Sequence, residues 1–404
     1  KVNLAKKSIS KYQWEKVAKE NVDFISYLTL LKKNNLSKIG WISTWDTRCG
    51  IATYSEHLLS ERKNDYIIFA QKVNKENTLN VTRCWNIGND DLDELFKNII
   101  FNNISSIVIQ FNYGFFDFTS FSNFIRKIKN HKINIIICLH STIDPKSDST
   151  KKIKYLSEIL FLCDRILVHS ISDLNRLKTL GLVDNVILFP HGILNSANYL
   201  LKSHKYQINR NKFHFSSYGF CLPNKGFPEL IKAIKILDTQ DFKCQLSLYT
   251  ALYDSKHSLQ FYHQLLSLID QLDLNDLINI NSSFLSDELT LKNLSKTDLV
   301  IFPYQSTNES VSGAVRQGIS SLTQVAVTPL PIFDDVSDVV YKLPGCSPSL
   351  IASGLINWSE TFYGKEMTVK EKQWRKEHSF EKLSGFCWPA VIDLISLLSV
   401  PSLP

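Results

Sequence analysis

Residues 106–139 read SIVIQFNYGFFDFTSFSNFIRKIKNHKINIIICL. Two apolar runs, Ser106–Phe111 and Asn134–Leu139, flank a stretch where apolar residues recur at helical spacing over Asp117–Lys129. Neither run alternates apolar with polar residues. Each is nearly continuous, the pattern of a strand buried on both faces. Strand, helix and strand joined by short turns predict a βαβ unit and therefore parallel strands.

The same pattern extends to both sides. Upstream and downstream strands are expected at Ile39–Ser43, Tyr66–Ala70, Arg165–His169 and Asn185–Phe189. Helices are expected at Ala52–Glu61, Lys151–Leu160 and Ser172–Leu180. A polar, basic stretch, LKSHKYQINRNK at 201–212, carries no apolar period and reads as a linker. The pattern then restarts, with strands at Phe213–Ser217, Gln245–Tyr249, Leu277–Ile280 and Leu299–Phe302. Helices are expected at Pro228–Leu237, Ser258–Leu272, Asp287–Leu294 and Gly313–Ile319. The expected fold is therefore α/β, with two Rossmann-like doubly wound parallel sheets facing each other across a cleft. Ligands in such sheets bind beyond the carboxyl ends of the strands. Four segments are expected: an N-terminal helical segment over 1–36, a first domain over 37–200, a second over 201–375, and a closing helix over 376–404 that returns toward the first domain. KYQWEKVAKENVDFISYL near the start and HSFEKLSGFCWPAVIDLISLL near the end share a layout. Residues 1–36 are thus either the closing helix of a preceding similar unit or an N-terminal helix packed on the core.

Composition narrows the classes. Of 404 residues, 44% are hydrophobic and 21% charged, the mix of an ordinary globular chain. Lys and Arg number 46 against 39 Asp and Glu, a formal charge of +7. The excess is spread along the chain, with no aromatic and basic stripe, which argues against nucleic-acid binding. It permits peripheral contact with an anionic membrane face. No run approaches the ~18 apolar residues of a membrane span, and a cytoplasmic protein is expected. Eight cysteines are scattered without a C-x-x-C pair, so they read as reduced thiols, and no metal site is expected from their spacing.

Three loops carry candidate chemistry. In STWDTRCGIATYSEHLL, Gly50 opens a helix after a strand, where backbone amides and Arg48 could meet an anion. Between Ser217 and Gly226, Gly219 and Gly226 bracket a loop that carries Lys225 toward the cleft. FPYQSTNESVSGAVRQG, residues 302–318, follows a strand and becomes a helix near Gly313. There Glu309, Ser312, Gly313, Arg316 and Gln317 are the candidates, with helix-end amides able to receive an anion. His140 emerges from the carboxyl end of a buried strand. Gln110, Asn112, Tyr113 and Gly114 end another, where they could bind an acceptor hydroxyl or shape a turn. His169 and His191 read as structural hydrogen-bonding residues near the domain joint.

Taken in order, STWDTRCGIATYSEHLL, QFNYGFF, CLHST, VHSISDLNRL, FPHGI, YGFCLPNKGFPELIKAI and FPYQSTNESVSGAVRQGISSLTQVAVTPLPIFDD resemble the GT-B glycosyltransferases, in particular the retaining family 4. The resemblance spans Lys38 onward. It implies a sugar–nucleotide diphosphate donor held mainly by the second domain, with no further cofactor and no metal. It also implies a glycan or lipid-linked acceptor held by the first domain, as in bacterial surface polysaccharide synthesis. Carried over by position, Gly50 faces the donor diphosphate, His140 contacts the donor sugar, and Lys225 binds the diphosphate. Glu309 corresponds to the first of two glutamates eight positions apart. The implied catalytic residues are Glu309, His140 and Lys225. Gly50, Gly219, Lys225, Ser312, Gly313, Arg316 and Gln317 are implied for the donor, and Arg48, Gln110, Asn112 and Tyr113 for the acceptor. Two positions differ from the family pattern. Phe220 or Cys221 stands where an arginine is usual, and Gln317 replaces the second glutamate, leaving Arg316 to make up cationic charge.

Two rival readings remain at this level. One is another two-Rossmann enzyme, such as a sugar–nucleotide epimerase. The other is a non-catalytic GT-B module that binds sugar nucleotide or scaffolds a neighbouring transferase module. A dehydrogenase is disfavoured because no G-x-G-x-x-G follows a strand.

Overall fold

The computed structural model describes residues 39–60, 66–88, 90–146, 148–196, 212–253, 256–307 and 309–387. The helix expected over 1–36, all but Lys212 of the linker, and the chain from 388 onward lie outside these residues.

The first sheet is built from β1 (Ile39–Ser43), β2 (Tyr66–Gln71), β3 (Val81–Trp85), β4 (Ser106–Phe111), β5 (Asn134–Leu139), β6 (Arg165–Val168) and β7 (Val186–Leu188), in the order β3-β2-β1-β4-β5-β6-β7. The second contains β8 (Phe213–Phe220), β9 (Cys244–Ala251), β10 (Ile278–Asn281), β11 (Leu299–Phe302), β12 (Gln324–Val327) and β13 (Tyr341–Lys342), in the order β10-β9-β8-β11-β12-β13. Every pairing is parallel. The two sheets repeat one plan. Each reverses strand order once, between β1 and β4 and between β8 and β11, and each reversal opens a crevice at the carboxyl ends.

Helices α1 (Gly50–Leu59), α2 (Asp93–Phe101), α3 (Phe118–Asn130), α4 (Ser157–Leu162) and α5 (Ile171–Lys178) cover the first sheet. The second carries α6 (Phe227–Thr239), α7 (Lys256–Gln271), α8 (Asp287–Leu294), α9 (Gly313–Ser320), α10 (Pro348–Thr361) and α11 (Val369–Glu377). The opening stretch shows how sequence sets the layers. β4 and β5 pair from Ser106↔Asn134 to Phe111↔Leu139. Their alternate residues enter different cores: Ile107, Ile109, Ile135 and Ile137 pack on one face, and Val108, Ile136 and Cys138 on the other. Between them, α3 starts where the Asp117 carboxylate accepts the Ser120 amide at 2.9 Å. It buries Phe121, Phe124, Ile125 and Ile128 and leaves Arg126 and Lys127 exposed.

β8 runs three residues beyond its expected end because it pairs with β9 along its whole length, from Phe213↔Cys244 to Phe220↔Ala251. Gly219 therefore lies within a strand. β3, β12 and β13 are strands that apolar runs do not announce. β3 and β13 sit at sheet edges, and β12 has four residues, so none needs a long apolar run.

Candidate functional site

The two crevices face each other and enclose a cavity of about 550 Å³. Its first wall comes from the N-terminus of α1, the ends of β4 and β5, and residues 191–194. Its second comes from the end of β8, the loop after it, and the loop from β11 into α9.

Lys225 is placed by the turn that follows it. Gly226 has φ of +75°, and a Cβ there would lie 1.8 Å from the Pro303 carbonyl oxygen. Only glycine lets the loop pass this close to the end of β11. Lys225 is consequently buried, at 5% exposure. Its Nζ donates to Glu309 Oε2 at 3.1 Å and sits 4.2 Å from the centre of the Tyr304 ring. Burial alone would pull its pKa down, but Tyr304 and the Glu309 carboxylate more than reverse this. The ammonium is held charged.

The loop from β11 ends in the Ser312 cap of α9. Ser312 Oγ accepts the Val315 amide at 3.3 Å and bonds the Tyr304 hydroxyl at 3.0 Å. With that amide capped, the Gly313 and Ala314 amides are the ones left at the helix end, where a helix has no internal acceptors for them. Gly313, Ala314 and Lys225 all line the cavity. A charged ammonium beside a helix N-terminus favours an anion. A Cβ at Gly50 or Gly313 would meet nothing within 4 Å, so these glycines leave open space on opposite walls.

The floor is a cluster of neutral rings. Tyr54 stands with its ring centre 5.1 Å from His140, 5.4 Å from His169 and 4.9 Å from His191. Burial depresses all three imidazoles. His140 falls well below the usual range, with His169 adding to the effect, and His169 falls to about 4. His191 is lowered by burial and then by Arg316. They therefore act near neutral pH as hydrogen-bonding groups, not as cations.

No protein-family model matches the chain, and no curated protein matches it in sequence. Solved structures do resemble it. The Anabaena protein HepE, in complex with UDP and glucose, matches with a TM-score of 0.70 at 10% identity, over 88% of this chain and 100% of that one. Sucrose-phosphate synthase from Thermosynechococcus elongatus matches with a TM-score of 0.71 at 12% identity, over 89% and 100%. A UDP-forming trehalose-phosphate synthase from Burkholderia xenovorans matches with a TM-score of 0.65 at 10% identity, over 89% and 99%. The fold is GT-B.

In the GT-B cleft, the cavity wall gathers Gly50, Asn112, His140, Gly219, Lys225, Glu309, Ser312, Gly313, Arg316 and Gln317. Three residues expected at the acceptor side are not on it. Tyr113 is buried among Phe111 and Phe118, with its hydroxyl donating to Asp144 at 3.2 Å. Gln110 lies beneath the wall, where its Oε1 accepts from His140 Nε2 at 2.7 Å. Arg48 is exposed and lies over the Phe284 ring at 5.6 Å, bridging the two units above the cavity. Arg316 reaches the wall, but its guanidinium is already used. It pairs with Asp335 and donates to the Ser312 and His191 carbonyls at 3.0 and 3.3 Å. It therefore brings no uncompensated charge to the cleft, contrary to the expectation that it would supply what the missing arginine does not.

His57, Asp287 and Phe380 also belong to this site, and no motif marks them. His57 Nε2 meets Asp287 Oδ2 at 2.7 Å, joining α1 to α8 across the cleft, and Gln317 Nε2 donates to Asp287 Oδ1 at 2.8 Å. Burial alone would raise the Asp287 pKa, but His57 and Gln317 bring it below the ordinary value. Phe380 packs on both Tyr54 and His57, so residues 379–387 lie against the first unit. Phe220 meets Tyr253 and Phe284 at 5.3 and 6.2 Å, giving the second wall an aromatic patch. Among the described residues no helix is long and apolar enough to cross a membrane.

Proposed function

We propose that the chain is a glycosyltransferase that moves a sugar from a nucleotide-diphosphate donor to a hydroxyl acceptor. The observation that carries the reading is Lys225, buried, charged and beside the N-terminus of α9 on the wall of an inter-domain cavity. UDP in the HepE complexes, and UDP release named for the trehalose-phosphate synthase, support a uridine diphosphate donor.

The chemistry follows from charge. Breaking the bond between sugar and diphosphate places negative charge on the leaving oxygen and positive charge on the sugar ring. Lys225 and the Gly313 and Ala314 amides would receive the first, preorganised before the reaction. Glu309, 54% exposed at its side chain, would lie on the sugar side, free to hold a hydroxyl or face the developing positive charge. His140, a neutral imidazole at the floor whose Nε2 donates to Gln110, would accept a hydrogen bond from a sugar hydroxyl at its other ring nitrogen. In the retaining course implied by the sequence resemblance, the acceptor hydroxyl attacks the face the diphosphate leaves. Its proton passes to a departing phosphate oxygen. Neither step draws on a metal or further cofactor. The acceptor belongs to the first unit, near Asn112. A glycan or lipid-linked hydroxyl, such as a surface-polysaccharide precursor at the inner membrane face, suits the open side of the cleft.

The test is calorimetry with UDP, followed by incubation with UDP-sugars and detection of released UDP. Micromolar UDP binding and acceptor-dependent UDP release are expected. Binding without release under any acceptor would favour the sugar-nucleotide-binding module over the enzyme.

A further inference from the structure

Below the cavity, the ends of β5 and β6 bring together a thiol and two imidazoles, of which only His140 also faces the cleft. Alternation along β5 puts Cys138 and His140 on one face. The β5–β6 register, Leu139↔Val168, brings His169 beside His140. Cys138 Sγ and a ring nitrogen of each histidine all lie within 4.8 Å of one another. His169 Nε2 is 3.4 Å from Cys138 Sγ. A thiolate and an imidazole on one tetrahedral zinc ion stand about 3.5 Å apart, given Zn–S near 2.3 Å and Zn–N of about 2.0–2.1 Å.

The surroundings fit a ligand set as well. His169 Nδ1 bonds the Phe189 carbonyl at 2.9 Å, and His140 Nε2 bonds Gln110 Oε1 at 2.7 Å. Such outer bonds fix the ring orientation of metal-binding histidines. Over the cluster sits Tyr54, 3% exposed, whose hydroxyl lies in hydrogen-bonding reach of the Cys138 thiol.

We propose that Cys138, His140 and His169, with the Tyr54 hydroxyl as the fourth donor, form a Zn²⁺ site at the floor of the cleft. Binding exchanges the Cys138 thiol proton for the metal. One S–H bond is lost, one S–Zn bond forms, one proton goes to solvent, and nothing is oxidised or reduced. The imidazoles bind as neutral ligands. Because His140 also lines the cavity, an ion held here engages the imidazole that otherwise faces the cleft. The scattered cysteine spacing did not point to this site, since its ligands come from neighbouring strands.

Titrating the whole chain with Co²⁺, after chelator treatment and desalting and without nucleotide, tests the site directly. One Co²⁺ per chain is expected, with a thiolate-to-cobalt charge-transfer band and the intense visible bands of tetrahedral cobalt, both removed by Zn²⁺. Cys138→Ser should lose the charge-transfer band. His169→Ala should weaken binding at least tenfold. Tyr54→Phe should keep the band while shifting the visible transitions. No charge-transfer band in the wild-type chain would overturn the proposal and leave the cluster a plain thiol–imidazole hydrogen bond. A band undiminished in Cys138→Ser would also overturn it, by placing the metal elsewhere. Because the readout involves no donor, its failure says nothing about glycosyl transfer.

Discussion

Replacing Lys225 with methionine removes the buried charge while keeping the length of the stem that packs against Tyr304. The expected loss in UDP affinity can be worked out in parts. A charge-assisted hydrogen bond to phosphate is worth about 1.5–3 kcal/mol net. Glu309, 3.1 Å from Nζ in the wild type, remains after the substitution and then faces the diphosphate unneutralised. At a half-exposed position such a like charge costs on the order of 1 kcal/mol. Together these give about 2.5–4 kcal/mol, a rise in Kd of roughly 70- to 900-fold. Fold stability should change little, because the partner left behind is half exposed and can be hydrated. Calorimetric titration with UDP at about 0.15 M salt, where surface charges are screened, reads the effect. A folded Lys225→Met variant that binds UDP within threefold of wild type would refute the reasoning.

Glu309→Gln should reduce transfer at least tenfold while leaving UDP affinity near the wild-type value, since its proposed role is on the sugar side; a UDP-release assay beside calorimetry separates the two. Gly226→Ala should destabilise the second unit by at least about 2 kcal/mol, from left-handed backbone strain together with the clash against the Pro303 carbonyl; urea unfolding measures it. The Asp287 carboxyl sits below its ordinary 3.8, so its contribution to the α1–α8 contact is complete above that value. It is lost as pH falls through the lower folded value. Asp287→Asn should therefore flatten the acid limb of thermal stability below about pH 4, and an unchanged limb would remove this contact from the explanation.

Much of the scaffold was readable from residues because buried parallel strands announce themselves. β1, β4, β5 and β11 end where their apolar runs end. The edge strands β3 and β13 did not announce themselves, since they carry polar residues that one open side tolerates, whereas the edge strands β7 and β10 did. Within the cleft, loop residues near a strand end and a helix start were readable: Gly50, Lys225, Glu309 and Gly313 reach one cavity because each follows a strand at a switch point. Tyr113 was not, because strand-end position does not say which way a side chain turns, and aromatic packing on Phe111 and Phe118 turned it inward. The Tyr54 and histidine floor and the His57–Asp287 link depend on registers between distant segments. No local pattern encodes them.

The most direct test is a crystal of this protein soaked with UDP. The diphosphate should lie with an oxygen about 3 Å from Lys225 Nζ and with the Gly313 and Ala314 amides donating to it. A diphosphate bound away from that turn, or an empty cleft at saturating UDP, would contradict the assignment of a glycosyl donor to this site.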